Sequence, residues 1–113
     1  VVTLPAATGT GKKYRFVVSV LATSPNHVVK VGNTTDVMQG SVSIGGAGAL
    51  AAAANPAFAP GATFDTITLN RTTTGGVTVG EWFDVQDFAA GVWQVNGQLT
   101  ATGTPATPFS ATV

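Results

Sequence analysis

The chain has 113 residues, enough for one domain of ordinary size. Charged residues make up only 9% of it, whereas a typical soluble domain has roughly 25%. Five basic and five acidic side chains cancel, which argues against nucleic acid or a membrane surface as an electrostatic partner. The lack of cysteine excludes disulfides and thiolate chemistry. No apolar run reaches the ~18 residues that would cross a membrane.

Threonine, valine, glycine and alanine dominate the composition and indicate an all-β fold. Side chains branched at Cβ fit a pleated sheet, and 14 glycines and six prolines divide the chain into short segments. Every periodic segment repeats with a period of two, which leaves less than about a tenth of the chain for helix. The sequence therefore predicts a compact antiparallel β-sandwich or small β-barrel of six to seven strands.

The chain is expected to form one β domain, residues 14–113, preceded by an extended N-terminal arm. The arm, residues 1–13, contains glycine, threonine and proline followed by Lys12-Lys13, and it is expected to be well ordered only when a partner holds it. An edge strand or a disordered terminus is the alternative. Residues 45–62 are rich in alanine, glycine and proline. They predict a surface loop with one helical turn at most, because the alanine run is too short to be stable alone.

The predicted strands follow from apolar alternation along the chain. The first, residues 14–22, is apolar on both faces and is expected to lie at the centre of a sheet. Further strands are predicted at residues 27–32, 36–44, 64–70, 77–88 and 92–102. Gly40 interrupts the third strand and indicates a bulge. The tail after residue 102 is expected to run extended, with Phe109 as its only large anchor.

One face of the first strand and one face of the last are assigned to the core by this alternation. The expected core residues are Phe16, Val18, Val20, Trp93, Val95 and Leu99. The opposite face of residues 92–102 is polar, with Gln94, Asn96 and Gln98, and it is expected to meet solvent or a partner.

The sequence offers little for catalysis, and we predict no enzymatic activity, no cofactor and no metal site. His27 is the only histidine and, next to two valines, is expected to be an ordinary strand side chain. Glu81, Asp84 and Asp87 are spaced three apart, a pattern that can supply acid–base groups or calcium ligands. On a strand, however, Asp84 points away from the other two. A solvated rim near a turn is therefore the expected role of these carboxylates.

Trp82, Phe83 and Trp93 are expected to pack in the core. The alternative is a platform on which sugars or bases stack. If this alternative holds, the chain is a fibre or receptor-binding module that binds glycans through Trp82 or Trp93. Burial of both tryptophans in one core would argue against that function.

Several stretches of the sequence have residue patterns found in a known group of proteins. They are Gly11–Val18, His27–Val31, Asp36–Gly40, Asp65–Asn70, Thr72–Gly76, Trp93–Gly97 and the ending from Ala101 to Val113. Together they resemble small virion proteins of tailed bacteriophages, and among these the head decoration, or cement, proteins. The resemblance covers most of the chain outside residues 45–62 and implies no catalytic residues.

This resemblance implies a structural protein on the capsid exterior, bound to the outer surface of the major capsid protein shell. It also implies a homotrimer at local threefold positions, so the expected partners are the major capsid protein and further copies of the chain. Neither nucleic acid nor a membrane is expected as a partner. The candidate capsid contact lies in the arm, at Thr8, Thr10, Lys12 and Lys13, where the lysine pair can meet acidic capsid loops.

Overall fold

The computed structural model describes residues 1–23, 25–46 and 55–113 and confirms the all-β prediction. Within these residues there are nine strands and no helix. The strands are β1 (Val2–Thr3), β2 (Lys13–Val17), β3 (His27–Lys30), β4 (Val37–Gly46), β5 (Ala57–Phe58), β6 (Thr66–Leu69), β7 (Trp82–Ala89), β8 (Val92–Ala101) and β9 (Phe109–Ser110). The predicted count of six to seven is not confirmed, because the two-residue strands β1, β5 and β9 lie in the predicted arm, loop and tail.

Both sheets are mixed, so the prediction of a purely antiparallel arrangement is wrong. The four-stranded sheet has the order β1-β3-β6-β9, and the five-stranded sheet has the order β2-β7-β8-β4-β5. β1 runs parallel to β3, and β4 runs parallel to β8 along its whole length. The remaining neighbours are antiparallel. Parallel neighbours need a long connection between them, and short-range turn signals in a sequence do not reveal such pairings.

One hydrophobic core is shared by the two sheets. The four-stranded sheet contributes Val29, Ile67, Leu69 and Phe109, and the five-stranded sheet contributes Met38, Val42, Ile44, Phe83, Val85, Trp93, Val95 and Leu99. The core assignment of β8 is confirmed, since Val95 and Leu99 are 0% exposed and Trp93 is 1% exposed. Phe109 is 3% exposed, as expected of the anchor of the tail.

β2 lies at the edge of its sheet, not at the centre, and pairs only with β7 among the described residues. Phe16 packs against the core and Val18 is buried, as predicted. Val20 is 69% exposed, so its assignment to the core is wrong. The strand ends at Val17, and the alternation that placed Val20 inside no longer applies beyond that residue.

Gly40 marks a close approach between two strands, not a bulge. β4 and β8 stay in unbroken register through Gly40 and Val95, and a register shift occurs instead between Asp87 and Ala89 of β7. The φ angle of Gly40 is +111°, and a Cβ atom there would overlap the carbonyl oxygen of Val95. Glycine is required at this position by both the backbone angle and the missing space.

The first 13 residues lie against the domain, so an arm ordered only by a partner is not confirmed. Val2 and Thr3 pair with β3, and the buried Leu4 donates its amide hydrogen to the carbonyl of Lys30 at 2.8 Å. The amide of Ala7 donates to the carboxylate of Asp36 at 2.8 Å.

The predicted loop, residues 45–62, contributes to the five-stranded sheet at both of its ends. Gly45 and Gly46 complete β4, and β5 pairs with Val42 and Ser43. The predicted helical turn falls on residues 47–54, which lie outside the described residues. Along the parts of the chain that the structure describes, no helix is long and apolar enough to cross a membrane.

Candidate functional site on the five-stranded sheet

The side of the five-stranded sheet that faces away from the core is a broad surface of amide and hydroxyl side chains. The strand register aligns three rows across β4, β8, β7 and β2. These rows are Gln39-Gln94-Gln86-Lys13, Ser41-Asn96-Asp84-Arg15 and Ser43-Gln98-Trp82-Val17. We call this surface the outer sheet face. The exposed Gln94, Asn96 and Gln98 alternate with buried residues along β8, which confirms the polar face predicted for residues 92–102.

Arg15, Asp84 and Trp82 form a fixed cluster on the outer sheet face. Arg15 donates from Nε to Oδ1 of Asp84 at 2.7 Å and from Nη2 to Oδ2 at 3.0 Å. Its guanidinium carbon lies 4.4 Å from the centre of the Trp82 ring, within range of a cation–π interaction. The hydrogen bond from Arg15 lowers the pKa of Asp84, against the opposing effect of burial. Asp84 is therefore ionised and paired at neutral pH, which suits a structural contact and not proton transfer.

The two tryptophans lie in different environments. Trp93 is fully buried in the core, together with Phe83, as predicted. Trp82 is only half-buried and lies on the outer sheet face beneath Arg15, so the core prediction is wrong for this residue. Burial of both tryptophans in one core, which would argue against glycan binding, is not seen.

All five acidic side chains of the chain are buried. They are Asp36, Asp65, Glu81, Asp84 and Asp87. Asp84 pairs with Arg15, and the other four accept hydrogen bonds from backbone amides. The predicted solvated rim of Glu81, Asp84 and Asp87 is therefore wrong. These carboxylates hold turns in place by satisfying buried amide donors.

The basic side chains, in contrast, lie at the surface. Lys12, Lys13, Arg15 and Arg71 are exposed, and Lys30 is half-buried. The charged side chains that can reach a partner are consequently cationic, although the formal net charge of the chain is zero. A count of charges in the sequence does not show this asymmetry, because it depends on which charges the fold buries.

The four residues predicted to contact a capsid fall into two groups. The amides of Thr8, Gly9 and Thr10 donate to the carboxylate of Asp87 at 2.7 to 3.1 Å, and the Thr10 hydroxyl donates to it at 2.7 Å. The two threonines therefore help to build a turn around Asp87. Lys12 and Lys13 follow this turn with exposed side chains, which remain available to a partner.

Asp87 is expected to make the fold sensitive to acid. Burial favours its neutral form, but the Thr10 hydroxyl and the three amides together outweigh burial and lower its pKa to about 2. A carboxyl whose pKa is lowered by folding stabilises the fold above its unfolded-state pKa. That contribution disappears as the pH falls from about 4 to about 2. Asp87→Asn should therefore lower the melting temperature at neutral pH and flatten its decline over this acid range.

Circular dichroism melts at a series of pH values measure this effect. Thr10→Val is the matched variant, since it removes one donor and keeps the carboxylate. The pKa of Asp87 should be less depressed in this variant, so its stability should fall by a smaller amount and level off at a higher pH than that of the wild type. An Asp87→Asn curve parallel to the wild-type curve throughout the acid range would contradict the assignment.

His27 lies in β3 as an exposed side chain, and its Nε2 atom is 2.8 Å from the carbonyl oxygen of Val20. Within residues 1–23, 25–46 and 55–113, no three histidine, cysteine or acidic residues are grouped to hold a metal ion.

Comparison with protein-family models, with curated proteins and with solved structures finds no match to this chain.

Proposed function

We propose that the chain is a structural virion protein that decorates and stabilises the capsid of a tailed bacteriophage. It binds the outer surface of the major capsid protein shell and belongs on the capsid exterior. The sequence resemblance points to the phage head. The character of the outer sheet face is the observation that supports a role as a covering protein.

The outer sheet face is suited to burial against another protein. Its central side chains are amides and hydroxyls, and its carboxylate, Asp84, already has a bidentate partner in Arg15. Covering the centre of this face leaves no isolated ion without water, which would otherwise cost several kcal/mol. Because each contact is individually weak, strength comes from repetition around a lattice of identical sites.

In this proposal the two sheets are the halves of a β-sandwich, and three copies cluster around a local threefold position of the shell. The role requires neither enzymatic activity nor a cofactor. Lys12 and Lys13 lie at the start of the edge strand β2 and supply the charged contacts to acidic capsid loops.

The test is binding of the purified chain to phage heads that lack their decoration protein, with tails as a parallel sample. Gln94 lies between Gln39 and Gln86 on the outer sheet face, so Gln94→Lys would bury a charge with no carboxylate opposite it and should reduce occupancy at least about tenfold. Thr34→Lys, an exposed position in the turn before β4, is the matched control and should bind as the wild type does.

Two results of this experiment would count against the proposal. Full occupancy by Gln94→Lys would show that the outer sheet face is not the contact. Binding of the wild-type chain to tails and not to heads would overturn the decoration function itself.

A glycan-binding fibre or receptor-binding module is the second candidate, favoured by the position of Trp82. The half-buried indole lies beside Gln98 in the register of β7 and β8, so an aromatic surface and an amide meet as they do in sugar sites. Arg15 covers one side of the ring, so a bound sugar would have to contact the ring beside Arg15 or displace it. Glycan-array binding that is lost in Trp82→Ala, together with binding to tails, would favour this function over decoration.

A further inference from the structure

An open groove separates the free edges of the two sheets. β1 forms the edge of the four-stranded sheet, and β2 forms the edge of the five-stranded sheet. Residues 2–5 line one side of this groove and residues 13–16 line the other. It continues into a neighbouring, mainly apolar groove of about 230 Å³, which is lined by residues 1–2, 16–20 and 27–29 among others.

Among the described residues, none pairs with the backbone groups of β2 on the groove side. The Lys12 carbonyl accepts from β7, and the Val18 amide donates to the residue just before β7. Because bonding direction alternates along an antiparallel strand, the odd-numbered residues between these two point their amides and carbonyls towards the groove. These residues are Lys13, Arg15 and Val17. A strand edge of this kind is a template for another strand.

The side chains around this edge define the chemistry of a suitable partner. Lys12 and Lys13 are exposed, and the side chain of Arg15 is 57% exposed. Val17 and Val20 are more than half exposed although they are apolar. Asp84 already pairs with Arg15, and the other carboxylate side chains are also buried, so no acidic side chain on the surface competes for the two lysines.

We propose that the edge of β2 binds an extended, acidic segment of another protein, which adds to the five-stranded sheet as a further strand. A strand that pairs with the five residues of β2 is about 17 Å long. Its backbone bonds to Lys13, Arg15 and Val17 provide affinity. Its carboxylates meet the lysines, and its apolar side chains cover the exposed valines. This inference holds whether or not the chain decorates a capsid.

A protein segment fits this edge better than a nucleic acid does. A phosphate backbone carries no alternating amides and carbonyls, so it would leave the edge groups of β2 unpaired. It would also leave Val17 and Val20 exposed to water. Salt-dependent binding of a polyanion would therefore use the lysines alone.

The experiment measures binding of a fluorescent peptide, with glutamates in one half and valines in the other, to the full purified chain by anisotropy. A peptide with lysine in place of glutamate is the ligand control and should not bind. The glutamate peptide should slow hydrogen exchange at the amides of Lys13, Arg15 and Val17. Reversal of both lysines, Lys12→Glu with Lys13→Glu, should weaken binding by at least about tenfold. Arg71→Glu, outside both grooves, should not.

Val17→Pro tests strand pairing separately from charge. It removes an amide that points away from β7, so the sheet keeps its own hydrogen bonds and thermal melts should confirm folding. Binding should be lost in this variant. Unchanged binding, or equally tight binding of a DNA oligonucleotide, would overturn the proposal. If Val17→Pro does not fold, unprotected β2 amides in the wild-type complex would overturn it instead.

Discussion

Replacing Gly40 with alanine is expected to lower the free energy of unfolding by about 3–5 kcal/mol. The φ angle of +111° is unfavourable for any residue with a Cβ atom, and that atom would overlap the carbonyl oxygen of Val95. The crowding atoms belong to the backbone of β8, which is held in register with β4 on both sides of the contact. They cannot rotate away as a side chain would. The free energy of unfolding of a small domain is only about 5–15 kcal/mol, so the expected loss is a large part of it.

Gly80→Ala separates the two contributions. Gly80 has a similar φ angle of +99°, but a Cβ atom there would meet nothing within 4 Å. Its replacement should therefore cost only the backbone strain, on the order of 1 kcal/mol. Urea denaturation of both variants measures the difference. Equal losses would show that Val95 does not crowd position 40.

β8 was predictable because a single rule, the alternation of buried and outward-facing residues, applies along the strand. Each of its inward residues is buried in the shared core and each outward residue in its second half is polar, so the sequence alternates without interruption. Residues 77–88 and 92–102 were predicted as separate strands, and Gly91, with a φ angle of +77°, lies in the short connection between β7 and β8. Where local pattern and tertiary burial agree, sequence alone is sufficient.

β2 shows where the same rule fails. Apolar residues on both faces suggested a central strand, yet β2 is an edge strand and Val17 and Val20 are exposed. An apolar side chain in an alternating pattern has the same appearance whether it faces a core or an open groove. Which strand becomes an edge depends on the long-range pairing of β4 with β8, and local periodicity does not contain that information.

The candidate site was only partly predictable for a related reason. The amides of β8 were recognised as an outward polar face, but the pairing of Arg15 with Asp84 joins residues 69 positions apart. Glu81, Asp84 and Asp87 were expected in solvent because carboxylates are seldom buried without partners. Their partners are mainly backbone amides, which every sequence has, so no side-chain motif predicts that these carboxylates are buried.

Glu81→Ala is expected to lower the free energy of unfolding by about 3–5 kcal/mol, as for a broken buried network. The carboxylate accepts from the amides of Gly76 at 2.6 Å, Val77 at 3.1 Å and Thr78 at 2.7 Å. It also accepts from the hydroxyl of Thr100 in β8 at 2.7 Å. This one side chain therefore joins the turn before β7 to the adjacent strand. Its removal leaves several amides without acceptors, and Gly76 is buried.

Glu81→Gln is the matched variant, since it keeps the size of the side chain and one of its two acceptor oxygens. It should lose less stability than Glu81→Ala, because only some of the amide donors are left without an acceptor. Hydrogen exchange at residues 76–78 should become faster in both variants, and more so in the alanine variant. Gln94→Ala, on the exposed face of β8, should change stability by less than about 0.5 kcal/mol. A loss at Glu81 as small as that of Gln94 would mean that its carboxylate is solvated after all, as the sequence first suggested.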